Sequence, residues 1–387
     1  MFRTFIGKST LLALVLVSTA FALLMGELVL RFVFNPGDFL YAEVVDHPFV
    51  GARIKPGTTG HDMLGYRNRE VPDRADVVVL GDSMTYGVGA PRDSTWPDQF
   101  AALLRKTVYN MGLGGYGPLE YLYLAEHDAA RMQPRLLLVG FYIGNDLIDA
   151  YNAVRHYPYL RSWREPGSAD ADGTEYQRIS QTEPKKHFAA LRDWLSKNSV
   201  LYSVAREVLL QPLSSWEQDR LALQAGPDRQ LIWRDPSRPS VRTIFNPQLK
   251  LSAMDPKLPS VQEGIRITKR TFEALQNAAD TQGRRLLMIL IPTKERIYCR
   301  YLKDTGTRMP RTLASLCEAE AQVKEDLERF LVARKIAYVD VSGAMEEQVQ
   351  NHVQLYPPGT GSHPLAAGYG VIAHAVYDAI RRNHFDQ

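Results

Sequence analysis

A three-layer α/β fold is predicted by the rhythm of the chain. Five short apolar runs recur along it, and the stretches between them carry apolar residues at three- and four-residue spacing. The runs are Asp76–Leu80, Thr107–Met111, Arg135–Phe141, Arg285–Pro292 and Ile336–Val341. They are apolar throughout rather than alternating, which suits strands of a parallel sheet covered by helices on both faces. Composition agrees. Of 387 residues, 45% are hydrophobic and 23% charged, an ordinary globular balance with enough apolar material for a large core. The net charge of +3 is spread without a long basic run, so nothing points to a nucleic-acid partner.

In chain order, the first element is set apart from the rest. Arg3 and Lys8 precede Ser9–Gly26, a run without any charge, and Leu28–Phe34 continues it with Arg31 as the one break. That length lies within the roughly 17–25 residues of a membrane-spanning helix. The basic residues before it put the N-terminus in the cytoplasm and the body outside. Residues 1–34 are therefore read as a membrane anchor. Two other readings stay open: a signal peptide cleaved at Ala20-Phe21-Ala22, and a buried core helix. Residues 35–75 read as an extended, turn-rich lead-in, and 76–387 as the main body.

Within the body, Ser94–Lys106 opens on a serine suited to capping a helix, and Pro118–Met132 on a proline suited to a first turn. Val261–Thr281, Thr312–Lys335 and Leu365–Arg382 also show helical spacing. Residues 151–257 interrupt the rhythm. They are polar and proline-rich, with one amphipathic stretch at Lys186–Leu210, and too long for a simple connection. This insertion is either a cap over a site or a packing elaboration. Cys299 and Cys317 suit an oxidising compartment, and whether they are bridged is open.

Ligands of an open parallel sheet bind beyond the carboxyl ends of its strands. Gly81-Asp82-Ser83 ends the first strand, Asn110-Met-Gly-Leu-Gly-Gly-Tyr-Gly117 ends the second, and Gly144-Asn145-Asp146 follows the third. His363-Pro364 precedes the last helix and can reach the same edge. Each alone is ordinary turn or cap chemistry; their order makes a set. A serine hydroxyl is a poor nucleophile until a base takes its proton, and histidine titrates in the right range. The oxyanion of acyl transfer needs fixed donors, and backbone N–H groups at Ser83 and the glycine loop, with the Asn145 amide, could supply them. No Cys–His cluster has metal spacing and no glycine loop leads into Lys-Ser/Thr, so neither metal nor nucleotide is expected.

These blocks resemble those of the SGNH (GDSL-type) hydrolases. Val79-Leu-Gly-Asp-Ser-Met-Thr-Tyr-Gly87 is similar to the first block, Asn110–Gly115 to the second, Ile143-Gly-Asn-Asp146 to the third and His363-Pro-Leu-Ala-Ala-Gly-Tyr369 to the fifth. The resemblance implies a flavodoxin-like five-stranded sheet, with Ser83 as nucleophile and His363 as base. It also implies an oxyanion hole of Ser83, Gly115 and Asn145, with Gly112 or Gly114 as alternatives to Gly115. The anchor, "GYRNREVP" and "LMILIPTKERIY" resemble membrane-anchored bacterial members, some acting on acetyl groups of exported polysaccharides. The sequence departs from the pattern twice. Ile143 replaces the usual glycine of the third block, and Thr360 and Gly361 stand where the fifth block carries its aspartate. That aspartate would fix the tautomer of the base; Asp340 or an acid of the insertion could replace it. Three readings follow: an envelope esterase working through an acyl-Ser83 intermediate, a polysaccharide O-acetyltransferase using the same intermediate, and a catalytically lapsed scaffold. The first leads.

Overall fold

The computed structural model describes residues 8–165, 176, 189–208, 211–383 and 385. At its centre lie β3 (Val77–Gly81), β4 (Val108–Asn110), β5 (Leu136–Tyr142), β8 (Arg285–Ile291) and β9 (Tyr338–Asp340), in the order β4-β3-β5-β8-β9. All are parallel, with Val77 opposite both Val108 and Leu136, Leu136 opposite Arg285, and Met288 opposite Tyr338. Counting only these five, the order is 2-1-3-4-5, the flavodoxin-like doubly wound arrangement. The five expected strands are all present. β3 and β5 are buried along their whole length and β8 all but its first residue, as a sheet covered on both faces requires.

Helices Trp96–Leu104 and Ala366–Arg382 pack together, while Pro118–Glu126 and Asp146–His156 pack with Pro259–Thr281. Two helix boundaries differ from expectation. The cap of the first helix is Thr95, whose hydroxyl accepts from Asp98 N, because Ser94 is taken up in a 3-10 turn. The stretch after Pro118 breaks at His127 into Pro118–Glu126 and Asp128–Arg131. Cys299 and Cys317, on helices Lys294–Asp304 and Arg311–Arg334, are bridged with Cα atoms 6.1 Å apart. A closed loop of this size is worth about 3 kcal/mol in the chain-entropy picture.

Helix Lys8–Val33 contains a stretch, Thr10–Val33, that is long and apolar enough to cross a membrane, and none of it is buried in the protein. The core-helix reading is thereby removed. Its two late charges have partners in the insertion. The Glu27 carboxylate accepts from Ser199 Oγ, Val200 N and Leu201 N at 2.9–3.0 Å, capping helix Val200–Val208, and Arg31 donates to Asn198 O at 2.7 Å. The amphipathic stretch expected at 186–210 is two helices, Ala189–Asn198 and Val200–Val208, and its outermost residues lie outside the described ones. The insertion also carries an antiparallel hairpin, β6 (Leu231–Arg234) and β7 (Arg242–Phe245), and helix Pro247–Met254.

The lead-in is more ordered than expected. It forms the hairpin β1 (Val44–His47) and β2 (Gly51–Ile54) and then covers the edge of β4. Asn68 Oδ1 accepts from Asn110 N at 2.9 Å, and Asn68 Nδ2 donates to Asn110 O at 3.0 Å. A side-chain amide thus satisfies an edge backbone that would otherwise be open.

Candidate active site

The serine is presented by a strand that stops abruptly. β3 ends at Gly81, Asp82 turns the chain, and helix Ser83–Tyr86 begins. Gly81 and Gly140 allow this helix to sit directly over the sheet. A Cβ on either would lie 2.0 or 2.4 Å from Thr85 Oγ1, so any larger residue pushes the helix off. Asp82 Oδ1 accepts from Met84 N at 2.8 Å, capping the helix. At the other end Gly87 takes φ 86°, and Arg67 donates to Gly87 O at 2.8 Å and Ala90 O at 2.9 Å. The lead-in therefore holds the turn that carries the serine.

His363 meets it. His363 Nε2 lies 2.8 Å from Ser83 Oγ, across 280 residues of sequence, so the hydroxyl can donate to the ring. Ser83 Oγ also lies 3.3 Å from Asp82 Oδ2, a longer and weaker alternative. Burial, helped by the charge of Lys250, lowers the His363 pKa to about 4. The ring is neutral at pH 7 and free to accept a proton. The same causes leave its charged form poorly supported.

The support expected from an acid is missing among the described residues: no carboxylate bonds the ring. Thr360 and Gly361 occupy the usual positions, and their backbone is engaged elsewhere. Asp340 is committed at 2.6 Å to Lys324 and at 2.5–2.9 Å to Ser342. It does not reach the histidine.

The glycine loop separates into distinct roles. Asn110 Nδ2 donates to Thr85 O and Asn110 Oδ1 accepts from Gly112 N, tying the loop to the serine helix at 2.9 and 2.8 Å. A Cβ on Gly112 would clash with the backbone at Thr85 and Tyr86. The residue facing the nucleophile is Gly114, whose Cβ would stand 3.6 Å from Ser83 Cβ. Gly115, expected as the donor, has φ 87°, and a Cβ placed on it would meet nothing within 4 Å, so its glycine serves the turn.

Asn145 occupies the cap position of helix Asp146–His156 but makes no cap bond with its side chain. Its Nδ2 donates instead to Asp149 Oδ2 at 2.6 Å, while Oδ1 is buried without a partner. The Asp149 bond fixes the amide plane and leaves one amide N–H uncommitted.

Behind these loops lies a group of buried acids that no motif in the sequence marks. Asp146 accepts from Tyr142 N at 3.0 Å and Tyr121 OH at 3.1 Å, and Glu120 accepts from Gly117 N at 3.0 Å. Burial raises the Asp82 pKa to about 6 and that of Glu120 to about 7. Asp146 and Asp149 are raised further, by burial and then by neighbouring acids. Lys250, from the insertion, is the buried cation of this region; its ammonium lies 4.9 Å from the Tyr142 ring centre, and burial lowers its pKa. No spacing singles out Lys250 in the sequence. Glu120 is visible there only as a third-position helix acid after Gly117.

No protein-family model matches the chain, and no curated protein matches it. Among solved structures it is similar to a member of the lipolytic protein G-D-S-L family from Veillonella parvula, at 12% identity over 79% of this chain and 98% of that one, with a TM-score of 0.37. It is also similar to a catalytic mutant of an acetylxylan esterase from Geobacillus stearothermophilus, at 11% identity over 80% and 95% of the two chains, TM-score 0.38. A third is an alpha/beta hydrolase enzyme from the metagenome of Lake Arreo, at 14% identity over 80% and 96%, TM-score 0.37.

Proposed function

We propose that the chain is a membrane-anchored serine esterase that removes acyl groups, acetyl among them, from a cell-envelope or exported polysaccharide. The observation that carries this reading is the 2.8 Å contact between Ser83 Oγ and the neutral His363 ring at the carboxyl edge of a parallel sheet. Ser83 attacks the ester carbon while His363 Nε2 takes its proton. The oxyanion of the tetrahedral intermediate is met by Ser83 N–H, a backbone N–H of the Gly114–Gly115 pair and the uncommitted N–H of Asn145. His363 then returns the proton to the leaving alcohol, and water repeats the sequence on the acyl-Ser83. The basic residues ahead of the apolar helix support an extracytoplasmic side for this chemistry.

The test is turnover of a chromogenic acetyl ester by the full chain in detergent, with fluorophosphonate labelling of Ser83. Serine-dependent turnover lost in Ser83→Ala is expected. Absence of both turnover and labelling overturns the reading. A long-lived acyl-enzyme discharged by added oligosaccharide but not by water would make the protein a transferase instead.

A further inference from the structure

The esterase reading leaves one need unmet: a general base must be held in place, and among the described residues no carboxylate holds His363. We propose that Lys294 is the positioning residue for this base, acting on His363 through the backbone of the loop 357–362. Lys294 follows β8, at the carboxyl end of the sheet, and its side chain is fully buried. Its ammonium donates to Ile244 O at 2.6 Å and to Gly361 O at 3.0 Å, with Gly359 O at 3.5 Å. Three N–H donors thus meet three carbonyls, and among the described residues no carboxylate oxygen is bonded to them.

These contacts tie the loop to the insertion hairpin two residues ahead of His363. The hairpin reinforces the hold. Ile244 N donates to Gly359 O at 3.1 Å, Thr243 Oγ1 to Pro357 O at 3.1 Å, and Asn246 Nδ2 to Thr360 O at 3.0 Å. A buried ammonium is expensive to maintain, and burial lowers the Lys294 pKa to about 8. A cation is nonetheless the group that several converging carbonyls require, since a neutral apolar side chain would leave them facing one another unpaired. The hairpin of the insertion is then half of the mount for the base.

The inference rests on the esterase reading, and the experiment separates the two. In the full chain, Lys294→Met is expected to lower kcat on an acetyl ester about a hundredfold, the scale of a small misplacement of a catalytic group, with KM changed less than about threefold. Introduced into His363→Ala, the same substitution is expected to cause no further loss of Ser83 labelling, because its effect passes through the histidine. Thr243→Val, a gentler change in the same mount, is expected to lower kcat several-fold and decides the matter if Lys294→Met does not fold. Amide exchange over 357–363 is expected to quicken at least about tenfold in either variant. Parent-like kcat in a folded variant overturns the inference, as does an equal loss in the His363→Ala background. An unlabelled Ser83 in the parent overturns the esterase reading; exchange then decides alone, unchanged rates counting against Lys294.

Discussion

The serine side and the histidine side of the site are held by opposite means. On the serine side each loop is gripped by a buried carboxyl: Asp82 on Met84 N, Glu120 on Gly117 N, Asp146 on Tyr142 N and Asp149 on the Asn145 amide. On the histidine side the loop is gripped through its carbonyls, by Lys294 and the amide of Asn246. The difference follows from what each loop must present. On the esterase reading, carboxyls that bind the N–H groups of structural residues leave neighbouring N–H groups available to an oxyanion. The base needs only a fixed ring, and a carbonyl-binding clamp supplies that without placing a negative charge against it. With no carboxylate on the ring among the described residues, imidazolium loses support but the geometry stays in place.

Deleting the base gives the largest expected effect. His363→Ala should lower kcat about a thousandfold at pH 7, within the usual range for a positioned general base. The parent should keep its activity far below the ordinary histidine range. A ring whose pKa is lowered to about 4 stays neutral, and competent, until pH falls through that value. A pH–rate profile with its acid limb near that value agrees with this; a limb at about 6.5, the unperturbed value, would mean that burial and Lys250 do not act on the ring.

On the serine side, Asn145→Ala should lower kcat about a hundredfold with little change in KM, the scale of one lost oxyanion donor. Steady-state kinetics on the acetyl ester checks it. An effect confined to KM would assign Asn145 to substrate binding instead.

Thr360→Asp converts the histidine side towards the serine side's way of holding. The backbone at 360 is already fixed by Asn246, so the new carboxylate would be introduced on a loop that need not move. It should favour the charged ring, raise the acid limb towards neutrality and increase kcat about tenfold. The pH–rate profile reads both. An unchanged limb would show that position 360 does not face His363.

The sheet was legible because strands buried on both faces leave unbroken apolar runs, as in Val77–Leu80 and Leu286–Ile291, and because the serine, glycine and asparagine blocks each sit where such a run stops. The pairing of Ser83 with His363 was legible only through the order of the blocks, since nothing local records a contact across 280 residues. The mounts were not legible. Nothing in the sequence marks Lys250 or Lys294 as buried, because charge normally goes with exposure, and here tertiary structure buries both. "GYRNREVP" stands out as a phrase, but Arg67 and Asn68 grip backbone carbonyls and amides that carry no signature of their own. Nor do identical letters record that Gly114 is set by its close approach to Ser83 and Gly115 by its positive φ.

The smallest predicted effect is on stability, and it probes what the acidic mounts cost. The Glu120 pKa is raised to about 7 by burial, so the folded state holds a proton that the unfolded chain releases near about 4.3. The native state then binds more protons than the unfolded one between those values, and stability falls as pH rises through them. Its favourable contribution is fully present below the unfolded pKa and is lost by about pH 7. Glu120→Gln keeps an oxygen for Gly117 N and removes the charge. Its Tm relative to the parent should therefore rise steadily from about pH 5 to about pH 8, by a few degrees at the upper end, with the acid-side difference near zero. Thermal unfolding at the two pH values reads the difference directly. A constant offset would mean that Glu120 titrates alike folded and unfolded, and that the serine side is held without electrostatic strain.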